Sequence, residues 1–294
     1  MKLIIIKIRN ILLTALIIFG FQNKIYSQGT STSRVGDKPG KFVGISLGPS
    51  QSSILNFGTS TVSKLITEKK NSFLGFVDFG FFLSDNIGVF TGIGLIAYNS
   101  QQTLGSYQNK FITSDSELES YERRVTGSEI KETQKIGTLS IPALINLRLP
   151  IAEKTGFFVQ PGLLMAIPIE KNYNTRGTFT YKGYYSAYNV LFENLPSYGF
   201  PSNLNSNSEG DLELKSLIFN VAFNAGIDHF INQKLQLAFA ASYIRSLSNI
   251  SDYSSPDNFQ LSSDADKINS VMGGSTKATI QSLGLKFSLR YYLK

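Results

Sequence analysis

The sequence predicts an all-β chain closed into an antiparallel transmembrane β-barrel of about eight strands, with short periplasmic turns and long extracellular loops. Three observations carry the prediction. Apolar and polar residues alternate with period two over several stretches, and the connections between these stretches alternate between short and long. The polar side of the alternation is built from Ser, Gly, Asn and Gln more than from charge. Composition agrees: the 294 residues include 22 Phe, 14 Tyr and 25 Gly, no Trp and no Cys, and 17% are charged. This favours strands and turns over helices and excludes a disulfide framework or thiol chemistry.

The first element is a leader. Lys2, Lys7 and Arg9 precede an apolar run, Ile11 to Phe21, that is too short for a transmembrane helix, so residues 1–27 read as a secretory signal peptide with small Ser27 before the favoured cleavage point. A retained anchor is the competing reading. Residues 28–40 are small and polar, broken by Gly and Pro, as a periplasmic lead-in is. The formal charge of +7 includes Lys2, Lys7, Arg9 and Lys24 of this acid-free leader. The cations left after them are scattered, which gives no reason to expect a nucleic-acid partner.

Residues 41–294 form the barrel domain. Its clearest strand is the last, where Leu283, Leu285, Phe287, Leu289, Tyr291 and Leu293 share one face, while Ser282, Gly284, Lys286, Ser288 and Arg290 share the other. Ten steps at roughly 3.3 Å, tilted by about 45°, cover roughly 23 Å, the height of an outer-membrane apolar band. The same alternation marks Ile87–Leu95, Leu139–Leu147, Phe157–Met165, Leu217–Phe223 and Leu235–Tyr243, with weaker candidates at 41–49 and 72–83. Short connections fall near Ser84–Asn86, Pro150–Thr155 and His229–Lys234; long ones span about 50–70, 99–134, 169–213 and 247–276.

Alternation alone does not separate a membrane barrel from a soluble lipocalin-like one. The nearly uncharged polar face suits a crowded interior, and Phe73, Phe81, Phe157, Tyr243 and Tyr291 sit near strand ends on the apolar face, where interfacial girdles form. Ser282, Gly284, Phe287 and Leu289 are similar to the terminal-strand signal read by the barrel assembly machinery, although here residues 290–294 follow it. The stretch 138–167, with Leu139, Ile141 and Pro142 in one strand and Gly162 in the next, resembles the paired central strands of the PorT-like outer-membrane β-barrel family. That resemblance implies an outer-membrane location in a Gram-negative bacterium. It also raises an accessory role in a secretion apparatus, and it implies no reaction.

Candidate chemistry is sparse. Gly92-Ile93-Gly94 fits a loose dinucleotide fingerprint but lies within alternating strand sequence, without the helix that must follow. The single histidine, His229, falls near a periplasmic turn, away from other reactive groups, so no catalytic residue and no cofactor are expected. Asp115, Glu117, Glu119 and Glu122 in the second loop, and Asp252, Asp257, Asp264 and Asp266 in the fourth, match no calcium-loop spacing and read as solvated acids. Asp78, Arg148, Asp228, Lys286 and Arg290 are placed on inward faces as a polar network filling the lumen, because an eight-stranded barrel is only wide enough for its own side chains.

The third loop is rich in aromatics, and Tyr181, Tyr184, Tyr185, Tyr188 and Phe192 make it the candidate partner-binding element. Packing over the barrel mouth, or continuing the strands above the membrane, accounts for these rings equally well. The function expected is therefore a non-enzymatic scaffold acting through its surface loops, with a protein or glycan partner there, membrane lipid around it, and the barrel assembly machinery during insertion. A small transporter or lipid-modifying enzyme is the third class considered.

Overall fold

The computed structural model describes residues 40–58, 65–84, 86–254 and 259–293. The expected signal peptide and nearly all of the lead-in lie outside them. The strands are β1 (Lys41–Gly58), β2 (Leu65–Phe82), β3 (Ile87–Ser114), β4 (Ser120–Pro150), β5 (Thr155–Tyr185), β6 (Val190–Glu193), β7 (Leu204–Asp211), β8 (Ile218–Phe230), β9 (Leu235–Ser246), β10 (Ser262–Asp264), β11 (Lys267–Ile268) and β12 (Ser275–Tyr292). Eight of them form the wall. Running β1-β2-β3-β4-β5-β8-β9-β12, each pairs antiparallel with the next, and β12 returns to pair with β1. The ring has no free edge, so every stave satisfies its backbone polar groups inside the protein, as a lipid solvent demands.

The expected period-two faces point as the last strand requires. On β12, Phe287 is 54% exposed, whereas Lys286 beside it is 7% and Arg290 2%. Ile45, Val77, Leu95, Ile145, Leu163, Phe219, Phe239 and Leu289 are likewise exposed on the outer wall. A barrel that turns its apolar faces outward and buries Asp, Lys and Arg is inverted relative to a soluble one, and its solvent is hydrocarbon.

The turns at one end are tight. The Leu83 and Ser84 amides donate to the Ile87 carbonyl, Ile151 donates to Thr155, and Asn232 accepts from the Lys234 and Leu235 amides. Both ends of the ring close here too, the Leu293 amide donating to Lys41.

The other end differs from the sequence expectation. Much of 99–134 and 169–213 is strand: β3, β4 and β5 run for 28, 31 and 31 residues. Thirty residues at roughly 3.3 Å make about 100 Å of strand, whereas crossing a ~25 Å apolar band at about 45° needs only ~35 Å. The remainder stands above the membrane as a three-stave extension, with β7 added along the outer part of β5 and β6 at its tip.

Gly92 and Gly94 lie mid-strand in β3, opposite Asp78 and Phe76 of β2. A Cβ at Gly94 would come within 2.2 Å of the Phe76 ring, so this glycine makes room inside a narrow barrel and binds no phosphate.

Candidate functional site

The lumen is filled from the bottom. Phe42, Phe90, Phe158, Phe230 and Tyr292 form an aromatic floor near the short turns, and three charge centres rest on or above it. The Arg148 guanidinium grips Asp228 through Nε and Nη2 at 2.9–3.0 Å and lies 5.4 Å from the Phe230 centroid. Asp78 faces Lys286 at 3.5 Å and accepts from the Ser46 hydroxyl, which also reaches Ser288. Arg290 has no carboxylate partner among the described residues. Its guanidinium lies 4.9, 5.4 and 5.5 Å from the Phe90, Phe158 and Phe42 centroids and donates to Gln236 at 3.2 Å. Ring quadrupoles hold this cation where a carboxylate could have.

The five charged residues expected in the lumen thus form two ion pairs and one aromatic cage. Beside Lys286 a cavity of about 20 Å³ remains, room for roughly one water. At this level the interior is a packed plug.

The upper mouth is closed by the connection between β9 and β12. Ile250, Leu261, Ile268, Val271 and Met272 are fully buried, the last four against the raised walls of β3, β4 and β5 or in the lumen below them. Glu132, buried on β4, anchors this segment. Its carboxylate accepts from Gln134 at 2.6 Å, Thr175 at 2.5 Å, the Ser270 hydroxyl at 2.9 Å and the Val271 amide at 2.7 Å. The last two open the 3-10 turn Val271–Gly274. Burial pushes the Glu132 carboxyl up, against the pull of these four donors.

Glu132→Ala is expected to leave the Val271 amide without a partner and to loosen the plug by about 2–4 kcal/mol. Tryptic cleavage after exposed Lys267 should then accelerate on the order of 10²-fold while the barrel stays folded.

The five aromatic residues expected at the partner-binding loop divide. Tyr181 is fully buried and its hydroxyl bonds Ser262 at 2.7 Å. It holds the plug and is unavailable to a partner, because strand alternation turns it into the lumen extension. Tyr184 packs against Arg124, 4.7 Å from its guanidinium, and donates to Asn189. Tyr185, Tyr188 and Phe192 do converge, across from the β3–β4 turn, and with Tyr198 and Phe200 they line a cleft of about 790 Å³.

The wall of the cleft is an interlocked aromatic stack. Tyr121 and Tyr185 lie face to face at 5.0 Å, Phe200 meets Tyr121 edge-on at 5.7 Å, and Phe192 meets Tyr185 edge-on at 5.3 Å. Tyr188 and Tyr198 stay 62% and 76% exposed on the rim. Asp115, Glu117 and Glu119 line the opposite side. Sequence reading assigned these acids to solvent, because the chain separates them from the aromatics by some 70 residues; the Tyr185 hydroxyl donates to Asp115 at 2.9 Å and that of Tyr188 to Glu119 at 2.7 Å.

Partial burial pushes the Asp115 carboxyl up, but the Tyr185 hydroxyl and the Glu119 and Glu117 amides outweigh it and hold it below the usual carboxylate range. Burial, and after it the same bond, push the Tyr185 hydroxyl up to about 12. A depressed carboxyl stabilises the folded tip above the ordinary carboxylate pKa, and that stabilisation is lost as pH falls through the lowered value. Tyr185→Phe is expected to move the Asp115 titration upward toward its ordinary value, read by carboxyl carbon chemical shifts.

His229 is exposed at the end of β8, facing outward, with its ring bonded to Thr155 at 2.9 Å. Asp264 accepts from the Asp266 amide within its own turn, and Asp257 lies outside the described residues. Among the described residues no three of His, Asp and Glu converge as a metal requires. Of the terminal-strand motif, Ser282 and Gly284 face inward on β12 while Phe287 and Leu289 face lipid.

No family model matches this chain, and no curated protein matches it. Among solved structures it is similar to the outer membrane protein OprG from Pseudomonas aeruginosa, at 14% identity and a TM-score of 0.41, covering 89% of this chain and 99% of that one. It is also similar to Ail of Yersinia pestis, crystallised with the heparin analogue sucrose octasulfate, at 10% identity and a TM-score of 0.30, covering 85% and 99%. Neisserial surface protein A follows at 9% and 0.34, covering 85% and 97%. At these TM-scores the likenesses carry no argument; the barrel rests on its own strand pairing.

Proposed function

We propose that this chain is a non-enzymatic integral protein of the outer membrane of a Gram-negative bacterium, which uses its raised hairpins to present a recognition cleft to a partner outside the cell. The observation that carries the reading is the contrast between its two ends. Among the described residues the lumen is filled by an aromatic floor below and by the docked β9–β12 connection above. A concave surface of about 790 Å³ combining exposed aromatics with charge stands at the tips of β3–β4 and β5–β6. Exposed rings cost free energy in water, and a rim of Tyr188 and Tyr198 is the kind of surface a partner covers.

Orientation follows from barrel construction: tight turns and chain ends belong to the periplasmic side, long hairpins to the outside. The inward Ser282 and Gly284 and outward Phe287 and Leu289 would serve as the signal for the assembly machinery. The test is an epitope inserted in the β3–β4 turn, between Asp115 and Glu119, and another in the turn 151–154. Protease added to intact cells should remove the first and spare the second. Loss of both, or of neither, refutes the orientation or the location.

A second reading, a PorT-like accessory of a secretion apparatus, draws on the Leu139, Ile141, Pro142 and Gly162 pattern at the β4–β5 pair, where Leu144 lies opposite Gly162. It requires a stable complex with envelope subunits, so solubilisation as a lone species under mild detergent would argue against it.

A further inference from the structure

We infer that the cleft at the hairpin tips takes a positively charged segment of a protein partner, seating an arginine or lysine side chain between its aromatic wall and its carboxylates. The inference rests on the recognition reading above and names the chemistry of its ligand.

Charge is the first argument. Nearby Glu122 and Glu193 are neutralised by Arg124 at 2.7 Å and Lys182 at 2.5 Å. Asp115, Glu117 and Glu119 form no ion pair among the described residues, and the cleft lining contains no Lys, Arg or His. Two of the three are fixed in place by tyrosine hydroxyls, and the Asp115 carboxyl is held below the usual carboxylate range. The negative charge is therefore positioned as well as present, and nothing within the cleft offsets it.

The aromatic wall is the second argument. Arg123, outside the lining and beneath the wall, already places its guanidinium 5.8 Å from the Phe200 centroid and 5.2 Å from that of Tyr181, donating to the Tyr121 hydroxyl at 3.0 Å and the Gly199 carbonyl at 3.1 Å. Phe200, one ring of the wall, thus already faces a guanidinium on its inner side. An incoming cation on the cleft side meets rings of the same stack with carboxylates opposite, a geometry that rewards the planar guanidinium most.

Competing ligands fit less well. The carboxylates are too dispersed to chelate a metal ion. A neutral glycan would stack on the rings and donate hydroxyls to the carboxylates, but it brings no charge to match theirs. An anionic ligand meets like charge.

The test uses the full-length protein in lipid nanodiscs and a nine-residue peptide of alternating Arg and Gly carrying one Trp. The chain itself has no Trp, so peptide fluorescence reports binding without Trp background from the chain. Binding is expected to weaken by about tenfold between low and physiological salt. It should fall at least about tenfold when Arg is replaced by citrulline, which keeps the shape and removes the charge, and in the double variant Glu117→Gln/Glu119→Gln. Glu209→Gln, on β7 outside the cleft, should leave it unchanged. Equal binding of the citrulline peptide, or full binding to the double variant, overturns the inference.

Neutral malto-oligosaccharide competing at the cleft while the arginine peptide fails also overturns it, but leaves recognition at the cleft standing. If neither probe binds and a photo-cross-linker at Tyr198 captures nothing on intact cells, while the barrel migrates as folded on unheated gels, both readings fall.

Discussion

Asp228→Ala is expected to lower the unfolding free energy of the barrel by about 3–5 kcal/mol, the largest loss at any single polar position of the lumen. Arg148 and Asp228 are 3% and 1% exposed, and the guanidinium meets the carboxylate through two nitrogens. The pair itself adds little net stability, because both charges give up water to form it. Removing one partner is costly because the other then remains buried and uncompensated above the Phe230 ring. The apolar double variant Arg148→Met/Asp228→Leu should accordingly recover most of the loss. The exposed pair Lys182–Glu193 sets the scale from the other side: it is 38% and 51% exposed, and breaking it should cost at most about 1 kcal/mol. Urea unfolding in lipid vesicles reads all three variants, and a loss below about 1 kcal/mol for Asp228→Ala would mean that water reaches the pair.

Phe239→Arg is expected to cost about 2–4 kcal/mol in the bilayer, and Leu235→Arg, at the start of the same strand, no more than about 1 kcal/mol. Phe239 is 40% exposed in the middle of β9 and packs against Phe287 of β12 at 4.8 Å, so an arginine there must place its charge at mid-depth in hydrocarbon. Leu235 adjoins the turn, where the side chain reaches the interface and its water. In an aqueous barrel the ranking would vanish, since an exposed Phe replaced by Arg costs little in water. A flat depth profile would therefore remove the membrane assignment. The neighbouring wall supplies its own control, because Lys286 and Arg290 of β12 are tolerated one residue away from lipid-facing Phe287 and Leu289 solely by pointing inward.

Legibility of the sequence followed the solvent. Where the outer face meets hydrocarbon, as along Leu283–Tyr291, it must be apolar at every second residue, and period two declares both the strand and its sidedness. Above the membrane the outer face of the same strand meets water. Residues such as Gln101, Thr103, Lys110 and Lys131, Thr133, Lys135 then carry polar groups, and the alternation fades although β3 and β4 continue. Those segments read as loops for that reason alone. The face on which an inward charge sits is a matter of parity within its strand, a local property, but which charge meets which depends on ring closure. Arg148 and Asp228 are 80 residues apart, and Lys286 and Asp78 are 208.

The sequence by itself determined the eight staves, their inward and outward faces and the tight turns at one end, because each follows from neighbours one or two residues apart. Tertiary structure decided which aromatics of the third connection face out. It buried Tyr181 under the plug and set Tyr185 and Tyr188 against Asp115 and Glu119. It likewise turned Glu132, one acid among several in a polar stretch, into the buried anchor of a segment some 140 residues downstream. Strand register and barrel closure bring these groups together, and neither leaves a periodic mark on the chain, because the partners lie on different strands and answer to one another only after the ring has formed.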